Sequence, residues 1–230
     1  MMSKARIFSI ALIICIMFFG ACNKSSEKPT EIRRTTAELK KMQMLKEVQN
    51  DYKNADKHYQ LGKLYQEEGQ WAQADHEFTV ALSFDPVHRQ SQAAKVKSFA
   101  SSGDTSNSQL AADFYMNQAF TSALGSLELA MAFQKEALDD YAFKCYRRAL
   151  ALAPNSAKVN RQIGFYYLSK GDDDRGRDYL TRSFQLNPNQ PEVALALGKL
   201  GVAVKAGQKA GGSAKKVDRA FEQQSTYTPQ

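Results

Sequence analysis

The sequence predicts an all-α protein built from successive helical hairpins. Three prolines set the period, because the interval from Pro86 to Pro154 is twice the interval from Pro154 to Pro188. Between them, apolar residues recur at helical spacing and small residues recur at fixed places. The shorter interval, about 34 residues, is typical of helix pairs that bury their faces only by stacking on neighbouring pairs.

Residues 1–21 have the form of a targeting signal. Lys4 and Arg6 precede an apolar run at 7–21. A helix of this length rises only about 22 Å, less than the roughly 30 Å hydrocarbon core of a bilayer. The run is therefore a signal-peptide core rather than a membrane-spanning helix.

The end of this run, Gly20, Ala21 and Cys22, resembles the lipobox of bacterial lipoproteins. The resemblance implies that Cys22 carries the acyl chains, palmitate among them, that anchor the protein to a membrane of the cell envelope. Several acyl chains together make such attachment effectively permanent. Asn23 after the cysteine implies the outer membrane, facing the periplasm, in an organism with two membranes. A plain secretory signal with an incidental cysteine is the alternative.

A polar stretch at 22–35 has no helical periodicity and is predicted to be a tether. Thr35 and Glu38 then have the spacing of a capping box, which marks a helix start. Apolar residues follow at helical spacing, so an amphipathic N-terminal helix is predicted over 36–54.

Three blocks of equal length share small and large residues at the same places. In 55–88 these are Leu61, Gly62, Tyr65, Gly69, Ala74, Phe78, Ala81 and Pro86. In 123–156 they are Leu129, Ala130, Phe133, Ala142, Tyr146, Ala149 and Pro154. In 157–190 they are Ile163, Gly164, Tyr167, Gly171, Gly176, Leu180, Ser183 and Pro188. The pattern resembles the tetratricopeptide repeat (TPR), which implies a TPR-like α-solenoid of helix-turn-helix units.

Two further blocks match less well. Residues 89–122 have the right length, but Phe120 stands where proline is expected, and the polar stretch 101–108 predicts an irregular turn in a degenerate unit. Residues 191–224 begin a first helix whose partner is interrupted by glycines, and a helix over 213–223 is predicted as an irregular cap. Residues 55–224 thus form the repeat domain, and 225–230 a tail.

The distribution of charge argues against nucleic-acid binding. Residues 55–198 carry 15 basic and 17 acidic side chains, so the repeats are slightly acidic although the whole chain has a net charge of +7. A nucleic-acid-binding face needs concentrated positive charge. The positive excess lies instead at 1–22, 23–54 and 199–230.

The sequence predicts no enzyme, no cofactor and no metal site. His58, His76 and His88 lack the spacing of a zinc protease, and Cys145 lies inside a predicted helix as a small core residue would. The acidic residues 172–174 follow a turn glycine and are predicted to cap the next helix.

In TPR proteins the first helix of each unit lines a concave groove. The resemblance places these residues on it: Tyr59, Lys63, Leu124, Leu127, Met131, Lys158, Arg161, Phe165, Leu168, Leu195, Lys199 and Val202. The middle of the set is apolar and its flank is basic, so the expected partner is an amphipathic helix or an extended segment with acidic flanks. Alternatively, the N-terminal helix covers part of this face.

The functional prediction is a lipid-anchored adaptor that binds an envelope protein or peptide in its groove. Anchor and repeats together resemble the TPR lipoproteins of type IV pilus and secretin assembly, which implies a role in building such complexes. A structural tethering protein, whose basic ends bind anionic lipid or cell-wall polymer, is the alternative.

Overall fold

The computed structural model describes residues 35–204. The predicted signal peptide at 1–21, Cys22 and the tether up to residue 34 lie outside the described residues, as do 205–230 with the predicted cap at 213–223. Within 35–204, no helix combines the length and the apolar composition needed to cross a bilayer.

The chain divides into two compact units, residues 1–39 and 40–230. The first is described only at 35–39, where Thr35 and Glu38 form the predicted capping box. The Glu38 amide donates to Thr35 Oγ1 at 3.2 Å, and the Thr35 amide donates to Glu38 Oε2 at 2.7 Å. This pair satisfies two amides at the helix start.

The regular structure of the described residues is α-helical. The helices are α1 (Thr36–Asn50), α2 (Ala55–Glu67), α3 (Trp71–Phe84), α4 (Arg89–Ser101), α5 (Thr105–Ala119), α6 (Ala123–Lys135), α7 (Asp139–Leu152), α8 (Ala157–Ser169), α9 (Asp173–Leu186) and α10 (Pro191–Lys199). The first helices of the repeats, α2, α4, α6, α8 and α10, begin at one constant interval along the chain. The second helices, α3, α5, α7 and α9, keep the same interval, so we number the repeats one to five by their first helices.

Glycines set the distance between the two helices of a repeat. A Cβ atom on Gly62 of α2 would lie 2.5 Å from Phe78 Cε1 of α3, and one on Gly164 of α8 would lie 2.6 Å from Leu180 Cγ of α9. Phe78 and Leu180 are fully buried. Because burying such a side chain contributes about 1.5–3 kcal/mol, these close approaches stabilise the first and fourth repeats.

The turn inside each of the first four repeats requires a left-handed residue at one place. Gly69, Gly103 and Gly171 adopt φ angles of 71°, 87° and 74° there, and Ala137 adopts 56° in the third repeat. Glycine enters this region freely, whereas a residue with a Cβ atom is disfavoured by roughly 1–2 kcal/mol. The third repeat therefore keeps the turn with local backbone strain.

The second repeat has the geometry of its neighbours, so the prediction of an irregular turn at 101–108 is wrong. Its turn is as short as the others, and α5 already begins at Thr105. Asp104 is the N-cap of α5 and accepts a hydrogen bond from the Asn107 amide at 3.0 Å. The polar residues of this stretch cap and begin a helix, since Ser, Asp and Asn favour N-caps as well as loops.

Helix α1 ends at Asn50, before the predicted end at residue 54. Asn54 is instead the N-cap of α2, where its side chain accepts a hydrogen bond from the Lys57 amide at 3.2 Å. Asn54 Nδ2 also donates to Asp51 Oδ2 at 2.9 Å. These bonds fix a tight corner that the helical pattern of the sequence did not reveal.

Helix α1 packs on α2 in the second compact unit. Met44 and Val48 of α1 form an apolar cluster with Leu61 and Leu64 of α2. This cluster contains none of the predicted groove residues. The described contacts thus place α1 at the N-terminal end of the repeats rather than over the groove.

The fifth repeat has a shortened first helix. Helix α10 ends at Lys199 because Gly201 turns the chain with a φ of 75°, one turn earlier than in the other repeats. The Val202 amide donates to the Leu197 carbonyl at 2.9 Å and closes the helix end. The prediction that Val202 lies on the first helix is therefore wrong, and its side chain packs half-buried beside Leu197.

Candidate protein-binding groove

In the first three repeats, all the predicted groove positions except Met131 are closed by neighbouring helices. Tyr59, Leu124 and Leu127 are buried, and Leu127 has no exposed surface. Lys63 is half-buried. The expectation that these side chains line an open groove is therefore corrected.

The cause lies in the small residues of α4. Ala93, Ala94 and Ser98 are fully buried on this helix. Their side chains take little room, so α2 and α6 both pack against α4. The feature that makes the second repeat a poor match to the sequence pattern is thus the one that closes the groove.

Direct contacts join the first repeat to the third across α4. Lys63 Nζ of α2 donates to both carboxylate oxygens of Glu136 at 2.9 Å, and Glu136 is only 7% exposed. Lys135 Nζ lies 3.4 Å from the Tyr59 hydroxyl oxygen and 5.7 Å from the centroid of its ring. The ion pair between Lys63 and the buried Glu136 therefore stabilises this closed face.

A cleft of about 410 Å³ lies beside the closed region, between the start of α4 and α6. Met131 is 40% exposed on its wall, together with Arg89, Glu128 and Lys135. Burial lowers the pKa of Arg89 against the attraction of Glu128. Burial likewise raises the pKa of Glu128 against the attraction of Arg89 and of the half-buried Lys158 on α8. Such a charged wall favours polar contacts over the capture of an apolar side chain.

Between the fourth and fifth repeats, the first helices leave an apolar cavity of about 460 Å³. We call it the α8–α10 groove. Its lining residues are Phe165, Leu168, Leu195, Ala196, Lys199 and Leu200, with Asp173 and Glu192 at the rim. Leu195 is 63% exposed, whereas Phe165 and Leu168 are half-buried and extend the apolar surface into the core beneath.

The rim of the α8–α10 groove carries both signs of charge. Arg161 Nη1 donates to Glu192 Oε1 at 2.8 Å, so this arginine is already paired. Lys199 is exposed on the groove, and Asp173 is exposed at the start of α9. The predicted basic flank is thus balanced by carboxylates that the sequence reasoning missed.

The other lining residues missed from the sequence are Ala196 and Leu200. The early end of α10 brings them to the cavity, because the last turn of α8, with Leu168, has no neighbouring helical turn beside it. Gly201 is the sequence signal that could have revealed this early end. Gly171 is the turn glycine that follows the first helix of the fourth repeat, and Gly201 stands four residues before the equivalent position of the fifth.

Buried polar and nucleophilic groups outside the groove have structural surroundings. The two ring nitrogens of His58 each lie 2.7 Å from an oxygen, one from Glu77 and one from the Tyr52 carbonyl. Cys145 is buried, and burial raises the pKa of its thiol to about 12, which makes it a poor nucleophile. In residues 35–204 no group of three His, Cys, Asp or Glu side chains is arranged to hold a metal ion.

No family model and no curated protein matches this chain. Among solved structures, MamA residues 41 to the end, from Desulfovibrio magneticus RS-1, is 17% identical with a TM-score of 0.35 over 83% of this chain and 98% of that chain. YrrB, described as a TPR protein with an unusual peptide-binding site, is 15% identical with a TM-score of 0.37 over 71% and 84%. PilF of Pseudomonas aeruginosa is 21% identical with a TM-score of 0.37 over 74% and 72%.

At these identities and TM-scores the likeness concerns the fold alone. The repeats are identified from the spacing of the helices in this chain. Four complete hairpins and a fifth first helix begin at one constant interval, about 34 residues, which is the period of the TPR. The described chain is a TPR-like array of helical hairpins.

Proposed function

We propose that the protein is a non-catalytic adaptor that binds a segment of another protein in the α8–α10 groove. The observation behind the proposal is the exposure of Leu195 beside Phe165 and Leu168. Repeats must bury the faces between them, but folding gives no reason to leave leucine open to water on a cavity wall. Apolar groups exposed in a concave site mark a partner surface.

The side chains that line the groove indicate what kind of partner it would bind. An apolar floor with one exposed leucine suits one or two apolar side chains of an amphipathic helix or extended segment. Asp173, Glu192 and Lys199 at the edge suit a segment with basic and acidic residues on either side of that anchor. The prediction of purely acidic flanks is therefore narrowed to flanks of both signs.

The proposal includes a lipid anchor at Cys22, supported by the lipobox-like residues Gly20 and Ala21. The anchor would hold the repeats at the bacterial envelope, on the periplasmic face of the outer membrane where there are two membranes, in complexes such as those of pilus or secretin assembly. Labelled palmitate tests it. Cys22→Ala should abolish labelling and release the protein from membranes, and a Cys22→Ala protein that still incorporates label contradicts the anchor.

Site-specific photo-crosslinking in the native membrane tests the groove. A photoreactive residue replacing Leu195 should form a discrete adduct with a partner, whereas the same residue replacing Leu110 should not. Leu110 is the matched control because it is a leucine 68% exposed on α5, away from the groove. Equal adducts at both positions, or none at Leu195, would contradict groove binding.

Ionic strength separates this function from tethering through the basic ends. An apolar complex survives salt that screens exposed charges, because the screening length falls from about 10 Å at 0.1 M to about 3 Å at 1 M. The Leu195 adduct should therefore persist in 1 M salt. Loss of all binding at that salt would favour the tethering alternative.

A further inference from the structure

Trp71 breaks the pattern by which the second helices of the repeats begin. Helix α3 starts at this tryptophan, whereas α5, α7 and α9 start at Thr105, Asp139 and Asp173. Small polar and acidic residues suit a helix start because they complement its free amides and its positive end. Trp71 has neither property, and it is the single tryptophan of the chain. Departures from a local rule of the fold are expected at functional sites.

Trp71 lines a cavity of about 540 Å³ between the start of α3 and the end of α4. We call it the α3–α4 cavity. Phe99 is its second aromatic residue, and both rings are half-buried. The polar side chains on its wall include Gln70, Gln73, Asp75 and Asp104. Aromatic surface with a few polar groups around it is typical of sites for small ligands.

The charged groups of the α3–α4 cavity are already paired. Asp75 accepts a hydrogen bond from Lys95 Nζ, which lies 5.2 Å from the centroid of the Phe99 ring. The two carboxylate oxygens of Asp104 accept hydrogen bonds from the Asn107 amide at 3.0 Å and from Asn107 Nδ2 at 2.7 Å. A charged ligand would therefore find no unpaired counter-ion among the lining residues. The cavity favours a neutral ligand.

The uncharged polar groups of the cavity are available to a ligand. Trp71 Nε1 and the side-chain amides of Gln70 and Gln73 have no hydrogen-bond partner among residues 35–204. The indole N–H can only donate, each amide can donate and accept, and the carboxylates of Asp75 and Asp104 keep further lone pairs. A fitting ligand is therefore flat and apolar on one face, with both donors and acceptors at its edge.

We propose that the α3–α4 cavity binds a neutral saccharide. The ring stacks its C–H face on Trp71, and its hydroxyl groups bond Gln70 and Gln73. A proline-rich peptide also fits an aromatic surface, but its prolines have no N–H to donate to the carboxylates. This site differs from the tethering alternative, in which the basic ends of the chain bind cell-wall polymer through charge, and it does not depend on the α8–α10 groove.

The single tryptophan makes binding directly measurable. The full-length protein, in a detergent without a sugar headgroup, is titrated with cellotetraose, maltotetraose and N-acetylchitotetraose. At least one of these should change the tryptophan emission saturably, because Trp71 is its only source. Decaproline should not change it. No saturable change with any of the three saccharides, or a change with decaproline alone, would overturn the proposal.

Two variants test the site, with calorimetry as the readout. Trp71→Asp gives α3 the first residue of α7 and α9, so its thermal melt should match that of the parent. It should weaken saccharide binding at least tenfold through the loss of an aromatic anchor. The double variant Gln70→Ala, Gln73→Ala should weaken binding several-fold. Gln109→Ala, at an exposed glutamine on α5, is the control and should bind as the parent does.

Unchanged saccharide affinity in either Trp71→Asp or the double glutamine variant would overturn the proposal. The crosslinking assay separates this site from the adaptor groove. Trp71→Asp should leave the partner adduct at position 195 unchanged. Saccharide binding without any such adduct would support the cavity and contradict the adaptor function. Loss of the adduct in Trp71→Asp, with a parent-like melt, would place the protein partner in the cavity and overturn the saccharide site.

Discussion

The first three repeats and the last two use the same helix positions in opposite ways. In the first three, Tyr59, Leu124 and Leu127 lie under neighbouring helices, and Lys63 is bonded to Glu136 across the face. In the last two, Leu195 faces solvent beside the α8–α10 groove. Repeats of one length can therefore either close or open a face. Small residues on α4 allow the closed arrangement, and the early end of α10 leaves the open one.

The largest expected difference is between leucines at equivalent positions. Leu127→Ala should lower the free energy of unfolding by about 2–5 kcal/mol, because it leaves a cavity in a fully packed site. Leu195→Ala should change it by less than about 0.5 kcal/mol, since that side chain is mostly exposed. Urea melts followed by circular dichroism measure both, and similar losses would erase the distinction between the two regions.

The contacts inside repeats should be equally tight in both regions. Gly62→Leu and Gly164→Leu each drive a side chain into the second helix, so each should cost about 1–3 kcal/mol or more, although leucine is the better helix former. Thermal melts of the two variants make the comparison. If Gly164→Leu melted at the same temperature as the parent protein, the open region would be loosely packed throughout rather than open only at its groove.

The ion pair between the first and third repeats should contribute measurably. Lys63→Met leaves the shielded carboxylate of Glu136 without its cation and should cost about 1–3 kcal/mol, the usual result of leaving a buried acceptor unsatisfied. Arg177→Met is the control, because its pair with Asp174 is exposed on one helix and should give no detectable change in the same melts. Equal melts for both variants would show that the closed face does not depend on this pair.

The smallest expected effect is a gain. Ala137→Gly relieves the left-handed backbone of the third turn and should raise the free energy of unfolding by about 0.5–1 kcal/mol. Gly171→Ala, the reverse change at the same place of the fourth repeat, should lower it by a similar amount. A loss of stability in Ala137→Gly would show that the alanine side chain has a packing role in the closed region.

Local contacts explain why the repeats were predictable. Gly62 and Gly164 mark close helix approaches within a single repeat, so their places in the sequence reveal the register directly. The turn near Asp104 was predicted wrongly, because aspartate favours both loops and helix N-caps. Sequence patterns therefore located the hairpins better than the turns between them.

The state of the groove was not predictable in the same way. Lys63 and Glu136 belong to the first and third repeats, and their contact depends on how little room Ala93 and Ser98 take on α4. In sequence, those small residues indicate only a weak match to the repeat. The pairing of Arg161 with Glu192 likewise joins different repeats, which is why a basic flank was expected where the structure has a balanced one.

The constant spacing of helix starts governs how such a gene can lengthen. Duplicating one whole repeat preserves the face that every later residue presents, whereas an insertion of another length within a repeat rotates or displaces the helices that follow. A copy of the second repeat would lengthen the sealed stretch, whereas a copy of the fourth would set a full-length first helix beside α8 and cover the last turn that the short α10 leaves open. Recombination alone could thus lengthen the closed face or cover the open one without any new packing rule.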